Sequence, residues 1–395
     1  MEPFGHAWRA AWPLEPGLTY LNHGTVGVTP RRVLEAQGAI RAQIEANPSR
    51  FLLRELCEIV VGQPQPRRPR LRQAADIVGG FVGARGDDIV FVDNTTTGAN
   101  AVLRSFPLGR GDEIVVSDFG YGGVTRAVIQ AARERGATVR TAAMPYPVES
   151  GTQIVDAFAA AIGPNTKLAV VDHVTSESAL VLPLAAIAER FRAHGVAVLA
   201  DGAHAPGAIP LDIPSLGVDW YVGNLHKWLW VPRSSAILWA APAWQASLRP
   251  AVVSWGLERG FNAEFDMPGT RDPSPHLSAP AAIAFMQELG VDGVRHYNHG
   301  LAWNGAQYLS HTWQTEFVTP EALIGTMATV MMPARLGTSP DDAARVRDAL
   351  LFDRGIEAQV HAFRGRLYTR ICGQIYNEMS DVHRLAEAVA AIPDM

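Results

Sequence analysis

Residues 196–228 read VAVLADGAHAPGAIPLDIPSLGVDWYVGNLHKW. The first five residues are apolar and lead straight into Asp201. Farther on, Trp220, Tyr221 and Val222 form a second apolar run, and Lys227 follows a few residues later with Trp228 beyond it. Short apolar runs bounded by turn residues predict strands buried on both faces. A carboxylate at the end of such a strand is costly unless it is paired. A lysine held beside buried strands has its ammonium form disfavoured, which makes its amine a usable nucleophile.

Moving outward, similar apolar runs occur at 89–92, 113–117, 168–172 and 236–239, and helical periodicity fills stretches between them, such as 123–134 and 183–193. Strands and helices in alternation predict an α/β fold, a mostly parallel sheet covered by helices on both faces. Ligands of such sheets bind at the carboxyl ends of the strands. Beyond about residue 275 the pattern changes to a helix at 279–289, further helices, and strands at 327–332 and 366–372. We expect three parts: an N-terminal segment, 1–20, packing on the domains; a large domain, 21–275; and a small α+β C-terminal domain, 276–395.

The 395 residues are 48% hydrophobic and 18% charged, with a formal net charge of −5, which fits a soluble globular chain. Arg67-Arg68-Pro69-Arg70 is the one basic cluster and reads as a solvated turn, so no nucleic-acid partner is expected. The 2 cysteines exclude a disulfide framework and an all-cysteine zinc site, and no metal is expected. No secretory signal and no run of roughly 18 apolar residues appears, so the expectation is a cytoplasmic protein without a membrane span.

Asp201 and Lys227 together have the chemistry that pyridoxal 5′-phosphate (PLP) requires: an acid to keep the pyridine nitrogen protonated and an amine to form an imine. The competing reading of these two residues alone is a buried ion pair. A phosphate site is offered by Asn94-Thr95-Thr96-Thr97-Gly98, which follows the strand at 89–92 and opens a helix. A plain helix cap is the competing reading there. The three features taken together favour the cofactor. His173 ends another strand and reads as a satisfied core histidine, with Thr175 and Ser176 just beyond it within reach of a cofactor oxygen. No G-x-G-x-x-G follows the first strand, which argues against a nicotinamide dehydrogenase.

These blocks join Leu21-Asn22-His23-Gly24, Asn47-Pro48-Ser49-Arg50-Phe51, Asp172-His173-Val174-Thr175-Ser176, Pro268-Gly269-Thr270-Arg271-Asp272, Tyr368-Thr369-Arg370-Ile371 and Gln374-Ile375-Tyr376-Asn377-Glu378. In that order, over nearly the whole chain, the sequence resembles the class V aminotransferase family, in its isopenicillin N epimerase-like branch. The resemblance implies a fold-type I PLP-dependent transferase: a large domain with a mostly parallel seven-stranded sheet, a smaller C-terminal domain, and a homodimer with shared active sites. It implies that Lys227 forms the imine, that Asp201 partners the pyridinium nitrogen, and that His204 and Ser176 approach the ring hydroxyl. Thr95, Thr96, Asn224 and His226 would hold the phosphate, and Thr270 would reach the phosphate of the neighbouring subunit. Arg370 would clamp the substrate α-carboxylate, with Asn22 and His23 lining the entrance. Phe119 occupies the place where relatives stack a histidine on the ring, with Tyr121 as the residue that compensates. The stretch 360–365 has no cysteine, which argues against persulfide-forming desulfurases, and Cys372 is expected to be packed and inert.

The implied reaction is at Cα or Cβ of an amino acid, with Lys227 as general base. C–S lysis of an S-substituted cysteine-type substrate ranks first, in line with relatives in natural-product sulfur metabolism. Epimerisation ranks next, since Phe119 offers no proton on its face, and decarboxylation-dependent oxidative deamination third. A non-catalytic PLP-fold dimer is the alternative outside catalysis, and the presence of both Lys227 and Arg370 counts against it. Candidates for contact with the substrate side chain are Trp228, Trp230, Trp255, Phe265, Arg233, Arg271 and His361.

Overall fold

A computed structural model describes residues 3–57 and 67–394. In chain order the strands are β1 (Thr19–Tyr20), β2 (Ile89–Val92), β3 (Glu113–Ser117), β4 (Thr138–Ala142), β5 (Thr166–Asp172), β6 (Ala197–Asp201), β7 (Trp220–Asn224), β8 (Ala236–Ala240), β9 (Met327–Met331), β10 (Ile356–Glu357), β11 (Gln359–Phe363) and β12 (Arg366–Cys372). Seven of them form the main sheet, in the order β2-β8-β7-β6-β5-β3-β4. Neighbours from β7 to β4 pair in parallel, while β8 is antiparallel to both β2 and β7.

The apolar runs become doubly buried strands because both of their faces are covered. Phe91, Val115, Val171, Ala200 and Tyr221 belong to the core on one side. Val90, Ile114, Val170, Leu199 and Trp220, their neighbours one residue away, belong to the core on the other. Each full burial of a large apolar side chain contributes roughly 1.5–3 kcal/mol. β4 lies at the edge and is half-exposed, which explains why Thr138-Val139-Arg140-Thr141-Ala142 carries no apolar run. Its Arg140 faces Glu113 of β3, a charged edge of the kind that discourages pairing with other chains.

The C-terminal part is a three-stranded antiparallel sheet, β11-β12-β9. Apolar residues of the helices Val291–Trp313, Pro340–Asp348 and Met379–Ala390 build its core. The N-terminal segment touches both bodies. β1 pairs in parallel with β10, whereas Trp12 is buried in the main core against Trp230, Phe285 and Tyr376. Among the described residues no helix is long and apolar enough to cross a membrane. The basic cluster seen in the sequence is a surface feature whose Arg68 pairs with Asp76 and Asp87, and whose Arg70 pairs with Glu55.

Candidate active site

The central strands β5, β6 and β7 end in Asp172, Asp201 and Asn224, side by side. Together with the start of the helix Thr95–Ser105, they surround a cavity of about 460 Å³. Its walls include Thr25, Asn94, Thr95, Thr96, Thr97, Tyr121, Asp172, Ser176, Asp201, His204, Asn224, His226 and Lys227.

Lys227 is only 9% exposed, and its amine lies 3.0 Å from Nε2 of His204. Burial, and then the Arg370 charge, bring its ammonium group down to about 7. The turn that carries Lys227 is braced from below. His23 is fully buried, with Nε2 against the Lys227 carbonyl at 3.0 Å and Nδ1 against the Tyr376 hydroxyl at 2.9 Å. Gly27, at φ 70°, allows the backbones to meet, since a Cβ there would lie 1.9 Å from the His226 carbonyl oxygen. His23 therefore does not line an entrance, because both of its nitrogens are committed to holding the lysine turn.

Asp201 is 3% exposed. Its Oδ1 accepts the Ala203 N–H at 3.0 Å, while Oδ2 is buried with no donor among the described residues. Asp172 is the register partner of Asp201 across the sheet, and its Oδ1 accepts the Tyr121 N–H at 3.3 Å. Burial raises both carboxyls. Asp172 is raised further by the charge of Asp201, whereas the Ala203 N–H and Lys227 favour ionised Asp201.

At the other end of the cavity, Asn94 caps the helix by accepting from the Thr97 N–H at 2.9 Å, and Asn224 Oδ1 accepts the Thr95 N–H at 3.1 Å. Asn224 thus braces the helix start. Among the described residues the Thr96 N–H has no protein acceptor, and at the positive end of the helix it is available to an anion. His226 directs Nδ1 at the Ser235 carbonyl, 2.9 Å away, and burial lowers it to about 4. Its Nε2 meets a phosphate oxygen only as imidazolium, a state that an adjacent dianion would favour.

β12 brings Arg370 in from the small sheet, fully buried. Nη1 donates to the Ser176 carbonyl at 2.6 Å, and Nη2 to Asn22 Oδ1 at 3.0 Å and to the Thr25 hydroxyl at 2.7 Å. No carboxylate of the described residues lies within ion-pair distance of it, and its Nε has no partner. A buried guanidinium held only by neutral groups has the charge to receive a carboxylate. Thr25 was missed in the sequence. Its position three residues after Asn22, in Asn22-His23-Gly24-Thr25, was the available signal.

Other expected residues fall elsewhere. Tyr121 lines the cavity, whereas Phe119 is not among its walls and packs edge to face with Tyr146 and Phe363. The physical reason is apolar burial in that cluster, which draws Phe119 away while the next polar ring, Tyr121, stays 44% exposed. Thr270 is exposed and lines a separate cleft with Leu52, Leu53 and Leu56, outside its own chain's cavity. His173 is a core histidine, bonded to the Tyr221 hydroxyl at 2.9 Å and lowered to about 4 by burial. Cys372 is buried, with its thiol pushed up by burial and its sulfur accepting the Gly24 N–H. Trp228 and Trp230 are buried, Trp255 is 77% exposed, Phe265 is in the core, and Arg271 pairs with Asp93.

Residues 29–343 match the family model Aminotransferase class-V. The chain belongs to the class V aminotransferase family. Isopenicillin N epimerase of Amycolatopsis lactamdurans is 35% identical over 398 residues, covering 95% of each protein. A putative L-cysteine desulfhydrase of Oryza sativa subsp. japonica is 32% identical over 412 residues, covering 95% of this chain and 83% of that protein. Among solved structures, an apo cysteine desulfurase from Thermococcus onnurineus superposes with a TM-score of 0.78 at 17% identity, covering 99% of this chain and 100% of the other. The cystine C–S lyase C-DES, in complex with cysteine persulfide, gives 0.75 at 22%, covering 96% and 98%. The fold is that of fold-type I PLP enzymes, and the cofactor of this class V chain is PLP. Its buried groups fit that molecule. Among the described residues Asp201 Oδ2 lacks a donor and the Thr96 N–H lacks an acceptor, and an amine lies in the same cavity.

Proposed function

We propose that this PLP-dependent lyase or isomerase cleaves the Cβ–S bond of an S-substituted cysteine. The observation that carries the choice is the number of bases facing the cavity. Lys227, at about 7, is an amine ready to take a proton. Burial lowers His204 and His226 and makes both weak bases, Nδ1 of His204 is taken up by the Trp228 N–H, and Phe119 has no proton to give or take. A β-elimination needs one base at Cα, whereas an epimerisation needs a proton-carrying group on each face.

Bound in this cavity, PLP supplies an electron sink for the pair released at Cα. Asp201 would hold the proton on its pyridine nitrogen, and His204 and Ser176 would lie at its hydroxyl. Thr95, Thr96, Asn224 and His226 would form the phosphate end, and Tyr121 would cover the ring. Arg370, oriented by Asn22 and Thr25, would take the substrate carboxylate. Lys227 then removes the Cα proton, the electron pair forms a Cα–Cβ double bond, and the Cβ–S bond breaks with loss of thiolate. Water converts the released enamine to pyruvate and ammonia.

We also propose a homodimer in which Thr270 completes the partner's phosphate site. Its support is the exposure of Thr270 beside an apolar cleft, and the exposure of the large apolar side chains Val252, Val253 and Trp255. The L-cysteine desulfhydrase names of several relatives support the lyase reading. Epimerisation is the second reading, favoured by the isopenicillin N epimerase likeness and by Tyr121 at the cavity wall. Incubation with S-alkylcysteines and with single enantiomers of simple amino acids separates the two. Thiol and pyruvate in equal amounts are expected; inversion with deuterium uptake at Cα and no pyruvate would replace lysis by epimerisation.

A further inference from the structure

Beside the cofactor cavity, the same two loops continue into a smaller hollow. Tyr121 and Ser176 line the cavity, while their chain neighbours Phe119, Gly120 and Glu177 line the hollow, closed by Tyr146, His361 and Phe363. Phe119, Tyr146 and Phe363 meet edge to face, with ring centroids 5.4–5.7 Å apart. On the small sheet Gln359 is opposite Arg370 and His361 is opposite Tyr368. The two-residue period of a strand therefore puts Arg370, His361 and Phe363 on one face. The Arg370 charge adds to burial in holding His361 near 4, so its ring is neutral. Among the described residues His361 Nδ1 is buried with no partner, and two carboxylates line the hollow: Asp118, paired with Arg364, which lies over Phe363, and Glu177, which is exposed.

We propose that this hollow is the subsite for the substrate's side chain beyond Cβ, and that it takes a short uncharged S-alkyl group. Its volume is about 40 Å³. A water needs roughly 10–15 Å³ measured this way, so the hollow holds about three atoms in a row. The rings of Phe119, Tyr146 and Phe363 favour alkyl carbon, the carboxylates of Asp118 and Glu177 disfavour an anionic tail, and a cationic tail would meet Arg364, which already holds Asp118. In its Nδ1–H tautomer His361 can give one hydrogen bond to a weak acceptor such as sulfur. The subsite rests on the lysis reading only for the sulfur atom; the preference for chain length is independent of it.

The PLP-loaded enzyme is titrated with alanine, 2-aminobutyrate, norvaline and norleucine, which carry no leaving group, and binding is read from the cofactor's visible absorbance. Kd should fall about fourfold per added methylene until the hollow fills. Phe119→Trp should flatten the series by occupying the hollow. Phe363→Leu, a gentler change should the first variant fold poorly, should move the optimum to a longer chain. A flat series in the wild-type enzyme, or a series unchanged in both variants, overturns the subsite. Turnover of S-methylcysteine and S-propylcysteine is read separately. Graded binding with no pyruvate from either would refute lysis and leave the subsite intact, whereas pyruvate without graded binding would do the reverse.

Discussion

The amine of Lys227 lies 3.0 Å from Nε2 of His204, and the indole N–H of Trp228 donates to Nδ1 of the same ring at 3.4 Å. Nδ1 accepts, so the single proton of the neutral imidazole is on Nε2 and points at the lysine nitrogen. Burial holds the His204 ring well below its usual range. A neutral amine is the form that can receive that proton, and the same lone pair is the one that attacks an aldehyde.

This arrangement fixes the pH dependence of cofactor capture. The attacking form is the deprotonated amine, which accumulates as pH rises through about 7. An ordinary lysine would respond only near about pH 10. Rapid mixing of apoprotein with PLP at a series of pH values should show the rate rising from pH 6 to about 8 and then levelling. A rise confined to higher pH would contradict the burial argument. Trp228→Phe, by releasing the ring from one tautomer, should slow capture by about fivefold.

The two carboxyls at the ends of β5 and β6 should answer differently to the same substitution. Asp201→Asn keeps the Ala203 contact and removes the negative charge, so kcat should fall by about 10²–10³-fold with cofactor still bound. Asp172 is raised by burial and by Asp201, so its neutral form is favoured. Asp172→Asn should therefore change kcat by less than about threefold, since the amide replaces an uncharged acid. Equal losses in the two variants would show that the charge does not reside on Asp201.

Arg370 is held by three neutral groups, which leaves its charge for the substrate. Arg370→Lys loses the planar fork, and kcat/KM should drop by about 10²-fold, mainly through KM. The penalty should vanish for amines that lack the carboxylate. A similar penalty with both classes of ligand would make Arg370 a structural residue.

The parts legible in the sequence are those where one physical demand fixes residue type. β2, β6 and β7 are buried on both faces, so each is an unbroken apolar run, and Asp201 and Lys227 stand out because charge beside such runs is costly. β4 escaped because it is half-exposed along its length, with Thr138 and Thr141 meeting solvent. The antiparallel direction of β8 left no trace, since a doubly buried strand has the same composition in either direction. In the site, Asp172 and Thr25 were hidden because their roles come from neighbours distant in sequence: Asp201 across the sheet for one, Arg370 of the other domain for the other. The placement of Phe119 depended on Tyr146 and Phe363, which no local pattern links.

Shared sites can be tested by mixing damaged chains. Lys227→Ala removes the amine, and in the proposed dimer Thr270→Glu would set a carboxylate against the partner's phosphate. Each variant alone should be nearly inactive. Co-expressed, they form mixed dimers with one intact site, and activity should return to about a quarter of wild type by random pairing of two chains. No recovery, with dimers confirmed by light scattering, would confine each site to one chain.

The most direct measurement of the account is the location of the covalent bond to the cofactor. The protein is loaded with PLP, treated with borohydride, digested and analysed by mass spectrometry. The account predicts the reduced cofactor on the peptide carrying Lys227, with both the label and turnover absent from Lys227→Ala. A label on Lys167, the other lysine of the chain, or turnover surviving in Lys227→Ala, would contradict it.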